Sequence, residues 1–166
     1  MTTIRRAELK DLESITTIYN EAIVKTVATF DTEPKTPQQQ QQWFALHGER
    51  YPILVAEQNS VVVGWASISS WSDRCAYRDT GETSFYVDET HQGEGIGRQL
   101  LQGLCDEATR LGFHSLLARM AEHSDASAYL HRQLGFELVG RLKEVGRKFG
   151  ELLDVEIYQK MLAPLR

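Results

Sequence analysis

The first part of the chain has apolar side chains at the spacing of an amphipathic helix. These residues are Leu9, Leu12, Ile15, Ile18, Tyr19, Ala22 and Ile23. A second helix is predicted to begin at Thr36 and Pro37, because threonine can cap a helix, proline fits its first position, and Gln39 completes a capping box. Between the two helices, Thr26–Pro34 is predicted to be a loop.

Short runs of β-branched and apolar residues predict a set of strands. They cover Thr3–Arg6, Ile53–Ala56, Val61–Ile68, Thr83–Val87, Ser115–Ala121, Phe136–Gly140 and Leu152–Met161. Asn59 and Ser60 between the second and third runs predict a hairpin. Ser70–Gly81 is polar and aromatic without periodicity, and we expect it to be irregular.

The second half also contains two predicted helices, each ending at a glycine. One has its apolar positions between Leu100 and Leu111 and ends at Gly112, and the other covers Ala126–Leu134 and ends at Gly135. There is no linker and no internal repeat. The order of elements predicts one mixed α/β domain over residues 1–166, with an antiparallel start.

Composition and charge narrow the range of functions. The chain has 166 residues, of which 42% are hydrophobic, and a formal net charge of −5. An acidic chain without a basic stripe is a poor nucleic-acid binder. No apolar run is long enough to span a bilayer, and the first residues lack a signal-peptide pattern. The two cysteines have no partners at metal-ligand spacing. We therefore expect a cytoplasmic protein with no metal, membrane or nucleic-acid partner.

The strongest local motif is the glycine-rich turn from Gln92 to Arg98, between a predicted strand and a predicted helix. Glycines let the backbone approach a ligand, and the first N–H groups of a helix attract anions. The turn therefore predicts a phosphate or pyrophosphate site. Glycines at positions 93, 95 and 97 fit neither a P-loop nor a dinucleotide-binding loop. A plain strand-to-helix turn is the alternative.

This turn resembles the Q/R-x-x-G-x-G/A signature of the GNAT superfamily of N-acetyltransferases, where it holds the pyrophosphate of acetyl-CoA. Further segments resemble the phosphinothricin and methionine sulfoximine acetyltransferase group within that superfamily. They are Ile18–Asn20, Trp43–Phe44, Tyr51–Ala56, Trp71, Thr80–Val87, Leu130–Phe136, Val145–Gly150 and Asp154. The resemblance covers nearly the whole chain in order.

The resemblance implies the GNAT fold, a twisted mixed β-sheet with splayed central strands flanked by about four helices. It also implies acetyl-CoA as the cosubstrate, held by backbone and side chains of one set of residues. They are Phe85, Tyr86, Val87, Gln92, Gly93, Glu94, Gly95, Ile96, Gly97, Arg98, Ser124 and Gln133. At Ser124 the family usually has asparagine.

For the chemistry, Glu82 occupies the position of the general base in this group. A carboxylate can take the ammonium proton directly or through a water. A backbone N–H near Val87 can stabilise the oxyanion. His131 occupies the position where many relatives carry a tyrosine that protonates the leaving thiolate. The alternatives are a solvated carboxylate for Glu82 and a structural, hydrogen-bonded histidine for His131. The cysteines predict no acyl-enzyme.

The acceptor implied by the resemblance is a small amino-acid-like amine such as phosphinothricin or methionine sulfoximine. Arginines can hold its anionic group through paired hydrogen bonds, although each can also be a solvated charge. The residues expected around it are Phe30, Ser72, Asp73, Arg74, Tyr77, Arg78, Glu82, Thr83, Ser84 and Lys148. Lys148 is expected to come from a partner subunit, because homodimers are typical of the group.

Other functions remain open from the sequence alone. A broader L-amino-acid N-acyltransferase would use the same residues. Acetylation of a protein amine would require an open groove, and acetylation of an aminoglycoside would require a strongly acidic cleft. A non-enzymatic acyl-CoA sensor would bind acetyl-CoA without turnover.

Overall fold

A single seven-stranded sheet forms the centre of the molecule, which is described by a computed structural model over residues 1–163. Its strands are β1 Thr3–Arg6, β2 Ile53–Gln58, β3 Val61–Ser70, β4 Thr80–Val87, β5 Ser115–Ala121, β6 Glu137–Lys148 and β7 Glu151–Met161. The spatial order is β1-β2-β3-β4-β5-β7-β6. Every neighbouring pair is antiparallel except β4 and β5, which are parallel.

Four α-helices cover the sheet. They are α1 Leu12–Lys25, α2 Pro37–His47, α3 Ile96–Arg110 and α4 Asp125–Gln133. The predicted capping box at α2 is confirmed, since the Thr36 side chain accepts from Gln39 N–H and the Gln39 side chain accepts from Thr36 N–H. The first predicted helix begins with a 3-10 turn at Leu9–Asp11 before α1. No helix within residues 1–163 is both long and apolar enough to cross a membrane.

The alternation of side chains along the strands produces two cores, one on each face of the sheet. On β3, Ala66 and Ile68 pack against α3, which buries Leu100 and Leu104. Trp65 faces the opposite way and packs with α1 in the second, smaller core. Burial of these apolar faces stabilises the sheet between its two layers of helices.

Two strand predictions were too short by three residues or more. β4 begins at Thr80, three residues before the predicted start. Thr80 pairs with β5, and Gly81 and Glu82 pair with both β3 and β5. β6 continues to Lys148 well beyond the predicted end at Gly140. Its register with β7 shifts between Leu142 and Gly146. Polar residues and glycines in this irregular part conceal the strand pattern.

The pairing of β4 with β5 stops halfway along both strands. Partners run only from Thr80 with Ser115 to Glu82 with Leu117. Beyond this point β4 stays paired with β3 as far as Val87, while β5 stays paired with β7 as far as Ala121. The two strands therefore diverge, and a gap opens in the middle of the sheet. The predicted splayed central strands are confirmed.

Candidate active site

A cleft of about 510 Å³ lies in the gap between the diverging strands. One wall is residues 83–87 of β4, and the other is residues 118–121 of β5. These two segments do not pair with each other, so the backbone N–H and C=O groups along the edges that face the gap are unpaired across it. A ligand that carries amide groups can form hydrogen bonds with them, as a peptide strand does when it adds to a sheet edge. The cleft therefore has the shape and hydrogen-bonding groups to accept an extended amide-bearing chain such as pantetheine.

The glycine-rich turn closes one end of this cleft. Gly93 and Gly95 have positive φ angles of 83° and 78°, a conformation that L side chains rarely adopt. Gly95 is the N-cap of α3 and no side chain caps this helix, so its first N–H groups are available to an anion. A Cβ on Gly97 would lie 2.9 Å from the Phe85 ring, so the helix can approach β4 closely only with glycine there. This end of the cleft fits a pyrophosphate.

The other cofactor candidates differ in how close they lie to the cleft. Gln92 and Arg98 line it, and so does Ser124, the N-cap of α4. Gln133 accepts a 2.9 Å hydrogen bond from Arg98 but does not line the cleft. Glu94 points elsewhere, accepting a hydrogen bond from Gln58. The first three are thus placed to touch a cofactor directly, whereas Gln133 orients Arg98.

Glu82 is located where β4 and β5 separate, and its carboxylate is paired with Arg119. Arg119 Nη2 donates to Glu82 Oε1 at 2.8 Å, and Arg119 Nε donates to Oε2. The guanidinium also lies 5.5 Å from the centroid of the Trp71 ring, within cation–π range. Pairing with the carboxylate raises the pKa of Arg119, so the arginine stays charged.

Arg119 was not among the site residues predicted from the sequence. Its partner Glu82 is 37 residues away, and only the parallel pairing of β4 with β5 brings them together. The signal in the sequence was a single charged residue inside the apolar strand Ser115–Ala121. Arg119 is the one exposed residue of that otherwise buried strand.

A second cavity, of about 330 Å³, lies on the α1 and α2 side of the sheet. Its floor consists of alternate residues of β3 and β4, which are Trp65, Ser67, Ser69, Ser84 and Tyr86. Ser84 and Tyr86 also line the first cleft, so the two cavities adjoin at β4. Glu82 lies two residues before Ser84 and so shares its face of the strand.

The second cavity has polar walls. Asp31 accepts a hydrogen bond from the Tyr19 hydroxyl, and Tyr19 also bonds Thr29 at 2.9 Å. Burial raises the pKa of Tyr86 to about 12, so this phenol stays neutral. The indole Nε1 of Trp65 is buried without a hydrogen-bond partner among residues 1–163. Hydroxyl, amide and indole groups here can bind a polar side chain of a small molecule.

The loop after β3 holds five of the predicted acceptor residues, and none of them lines either cavity. They are Ser72, Asp73, Arg74, Tyr77 and Arg78. The loop forms a 3-10 turn over Cys75–Tyr77. Arg78 is largely exposed, with Asp79 3.8 Å away. In this conformation Arg119, and not the arginines of the loop, is the cation beside Glu82.

Phe30 and Lys148 form contacts between the α1–α2 loop and strand β6 of the same chain. The Phe30 ring packs so closely on Gly146 of β6 that a Cβ there would lie 2.1 Å from a ring carbon. Lys148 is buried and donates to the Thr29 carbonyl at 2.7 Å. These contacts fix the α1–α2 loop against β6. Neither residue lines a cavity, whereas the predicted Thr83 and Ser84 both line the first cleft.

His131 lies on α4 and is buried at the wall of the cleft. Its Nδ1 lies 2.7 Å from the Ser127 carbonyl oxygen, which requires a proton on Nδ1. Phe85 stacks on the ring, and Phe136 contacts it edge-on. Burial lowers the pKa of His131, so the neutral imidazole is favoured. This environment favours the structural alternative over a proton donor.

The free energy of unfolding should fall as the pH is lowered from 7.5 to 5.5. Burial lowers the pKa of His131 and of His47, so in this range the unfolded chain binds protons that the folded chain does not. Urea unfolding at both pH values measures the change. His47→Gln should reduce the slope, and the exposed His123→Gln is the control. Equal stability at both pH values would contradict this prediction.

Neither cysteine is placed to form an acyl-enzyme. Cys75 is exposed in the loop after β3, and Cys105 is buried in the core. Burial raises the pKa of Cys105 to about 11, which keeps it a thiol. Within residues 1–163, no cluster of three or more histidine, cysteine or acidic side chains is arranged to hold a metal ion.

Comparison with known proteins identifies the family of this chain. Residues 4–157 match the family model described as an acetyltransferase (GNAT) domain. The chain belongs to the GNAT acetyltransferase family. It is 40% identical over 161 residues to the L-methionine sulfoximine/L-methionine sulfone acetyltransferase of Salmonella typhimurium, covering 96% of this chain and 94% of that protein. It is also 40% identical to the L-amino acid N-acyltransferase MnaT of Escherichia coli, covering 96% and 93%.

A solved GNAT structure has the same fold and contains the cofactor. The phosphinothricin acetyltransferase from Sinorhizobium meliloti, in complex with acetyl-CoA, superposes with a TM-score of 0.94 at 38% identity. The match covers 98% of this chain and 89% of that one. The present protein is therefore an acetyl-CoA-dependent N-acetyltransferase of the GNAT type, and the resemblance noted from the sequence is confirmed.

Proposed function

We propose that this GNAT enzyme acetylates the α-amine of a small amino-acid-like acceptor, such as methionine sulfoximine, methionine sulfone or phosphinothricin, with Glu82 as the general base. The observation that carries the proposal is the position of the Glu82 carboxylate, where β4 and β5 separate. Glu82 itself lines neither cavity, but the next two residues of β4, Thr83 and Ser84, line the cleft that fits acetyl-CoA, and Glu82 shares a strand face with Ser84 of the polar second cavity. A base is needed at that place, since an ammonium group must lose a proton before it attacks a thioester.

Direct transfer is the mechanism that the side chains support. The cysteines lie outside the site. Ser127 Oγ in the cleft lies 3.4 Å from His131 Nδ1, but that nitrogen carries the proton donated to the Ser127 carbonyl and so cannot activate the hydroxyl as a base. Backbone N–H groups on the open edge of β4, near Val87, are candidates to stabilise the oxyanion. Ser124, Arg98 and the first turn of α3 would hold the cofactor phosphates.

The acceptor side chain would enter the second cavity. Its volume of about 330 Å³ suits a small polar molecule, and its floor of serines offers hydrogen bonds to sulfoximine, sulfone or phosphinate oxygens. The relatives named above act on amino acids or their analogues, which supports an acceptor of this class. Their names also leave open a broader L-amino-acid acyltransferase.

A homodimer is supported by the surface of the β6–β7 hairpin. β6 is the edge strand of the sheet, and the hairpin exposes several large apolar side chains. They are Leu138, Val139, Leu142, Val145, Phe149 and Leu152. An exposed apolar edge of this kind favours association with a second copy. Lys148 belongs to this hairpin and bonds Thr29, and Phe30 packs on Gly146 of the hairpin, so a partner would be close to the α1–α2 loop.

An acceptor panel tests the proposed function. Thiol release from acetyl-CoA would be measured with methionine sulfone, methionine sulfoximine, phosphinothricin, ordinary amino acids, spermidine, an aminoglycoside and an N-terminal peptide. The proposal predicts release with the three glutamate-like compounds. Release with most amino acids would favour the broader activity. Release with polyamine, aminoglycoside or peptide alone would contradict the acceptor class, and binding of acetyl-CoA without turnover would support a sensor.

A further inference from the structure

The guanidinium of Arg119 has hydrogen-bond donors to spare at the mouth of the cleft. Arginine carries five N–H donors, and Glu82 takes one from Nε and one from Nη2. The hydrogens of Nη1 and the second hydrogen of Nη2 have no acceptor among residues 1–163. The side chain is 56% exposed and lines the cleft. One edge of the guanidinium is thus held by Glu82, and the other edge is free to bind a ligand.

The other cations that line the cleft are already engaged or lie at its far end. Lys25 pairs with Glu21 and Glu89. Arg98, in the glycine-rich turn, donates to Gln133. Among the cations that line the cleft, Arg119 is therefore the one available next to Glu82, and the Trp71 ring lies 5.5 Å from its guanidinium.

We propose that Arg119 binds the α-carboxylate of the acceptor through the guanidinium edge that Glu82 leaves free. This inference rests on the proposed function, because it assigns the residue that selects α-amino acids at the same site. A guanidinium recognises a carboxylate through two parallel hydrogen bonds. The amine and the carboxylate of an α-amino acid share one carbon atom. A carboxylate held on Arg119 therefore brings the ammonium group beside Glu82, which takes its proton.

The geometry gives the ion pair two tasks. Glu82 orients the guanidinium so that its free edge is presented to the acceptor, and Arg119 holds the carboxylate of Glu82 at the point where the strands diverge. An amine without a carboxylate would reach Glu82 but lack the anchor. Arg119 is thus a specificity-determining residue, whose loss should affect acceptors that carry a carboxylate.

The test compares methionine sulfone with its decarboxylated counterpart, 3-(methylsulfonyl)propylamine, as acceptors for the full-length enzyme. Arg119→Gln should lower kcat/KM for methionine sulfone by about 10²-fold, mainly through KM, because hydrogen bonds to a charged group are lost. Turnover of the amine should fall at least about tenfold less, because the amine never used the free guanidinium edge and loses only the support that Arg119 gives to Glu82. Arg119→Lys should give an intermediate loss, since lysine keeps the charge without the fork.

Arg110→Gln is the matched control. Arg110 also pairs through Nε and Nη2 with one carboxylate, that of Glu107, but lies on α3 away from the cleft. Its substitution should leave the ratio of the two acceptors unchanged. Thermal unfolding and acetyl-CoA binding check that each variant is folded.

Equal losses on both acceptors in both Arg119 variants would overturn the inference and leave Arg119 as a support for Glu82. The inference would also be overturned if Arg74→Gln or Arg78→Gln abolished the preference for methionine sulfone while Arg119→Gln kept it. No turnover of either acceptor, or of any other amino acid, by the unsubstituted enzyme would contradict the proposed function itself.

Discussion

Replacing Glu82 by glutamine is expected to lower kcat by about 10²–10⁴-fold, the usual contribution of a general base. Glutamine has the same length and can still accept a hydrogen bond from Arg119, but it cannot take a proton from the acceptor ammonium. The cofactor should bind as before, because the glycine-rich turn lies at another part of the cleft. Steady-state rates with methionine sulfone, together with calorimetric binding of acetyl-CoA, measure the two effects separately.

Glu107→Gln is the control for this substitution. Glu107 is also a carboxylate paired with arginines, Arg6 and Arg110, but it lies on α3 outside the cleft. The arginines lower its pKa to about 2, so it is ionised at neutral pH. Its replacement should leave turnover unchanged in the folded enzyme. Wild-type rates for Glu82→Gln across the pH range would show that another group accepts the proton.

The second large effect is expected at the N-terminus of α3. Gly95→Val should raise the Kd for acetyl-CoA by about 10²-fold or more, through the loss of two hydrogen bonds to charged phosphate oxygens. A β-branched residue at a φ of 78° is strained, so the turn must shift and its N–H groups would no longer converge on the pyrophosphate. Calorimetric titration of the variant with acetyl-CoA measures the change.

Gly112→Val separates backbone strain from loss of the cofactor site. Gly112 has a φ of 81° and open surroundings like those of Gly95, but it follows α3 at the opposite end of the helix from the cleft. Both variants should lose similar stability, on the order of 1–2 kcal/mol for a left-handed non-glycine residue. Only Gly95→Val should lose acetyl-CoA. Equal affinities in the two variants would mean that the turn does not hold the pyrophosphate.

The features that could be predicted from the sequence are those set by local pattern. The helical spacing from Leu12 to Ile23 reflects burial of one helix face, and the apolar run Ser115–Ala121 reflects a strand that is buried on both faces; both elements are present. The glycines at 93, 95 and 97 could be interpreted because positive φ and close approach each require glycine. The general position of the cofactor cleft followed from that turn and from the family resemblance.

The features that could not be predicted depend on residues brought together from distant parts of the chain. Arg119 meets Glu82 only because β4 and β5 are parallel and diverge one step after Glu82. The polar cavity on the α1 and α2 side joins side chains from β3, β4 and the α1–α2 loop. The arginines of the loop after β3 have the chemistry to bind an acceptor anion but lie outside both cavities in this conformation, so their role at the acceptor site stays a prediction.

The position of the gap explains why donor and acceptor can meet without an acyl-enzyme. The cofactor cleft and the polar cavity lie on either side of the outer half of β4, and Ser84 and Tyr86 line both. A thioester in the gap and an amine over Glu82 would therefore be adjacent across a single strand. Under the proposed direct transfer, proximity of this kind would make a covalent intermediate unnecessary, because both reactants would be held in one complex.

The affinity of a bisubstrate analogue tests this arrangement most directly. In such a compound the sulfur of CoA is joined through a two-carbon acetyl bridge to the α-nitrogen of methionine sulfone. If the cofactor cleft and the acceptor cavity meet at β4 beside Glu82, the analogue should bind at least about 10²-fold more tightly than CoA, because it occupies both sites at once. An affinity no better than that of CoA would contradict direct transfer at the gap between β4 and β5.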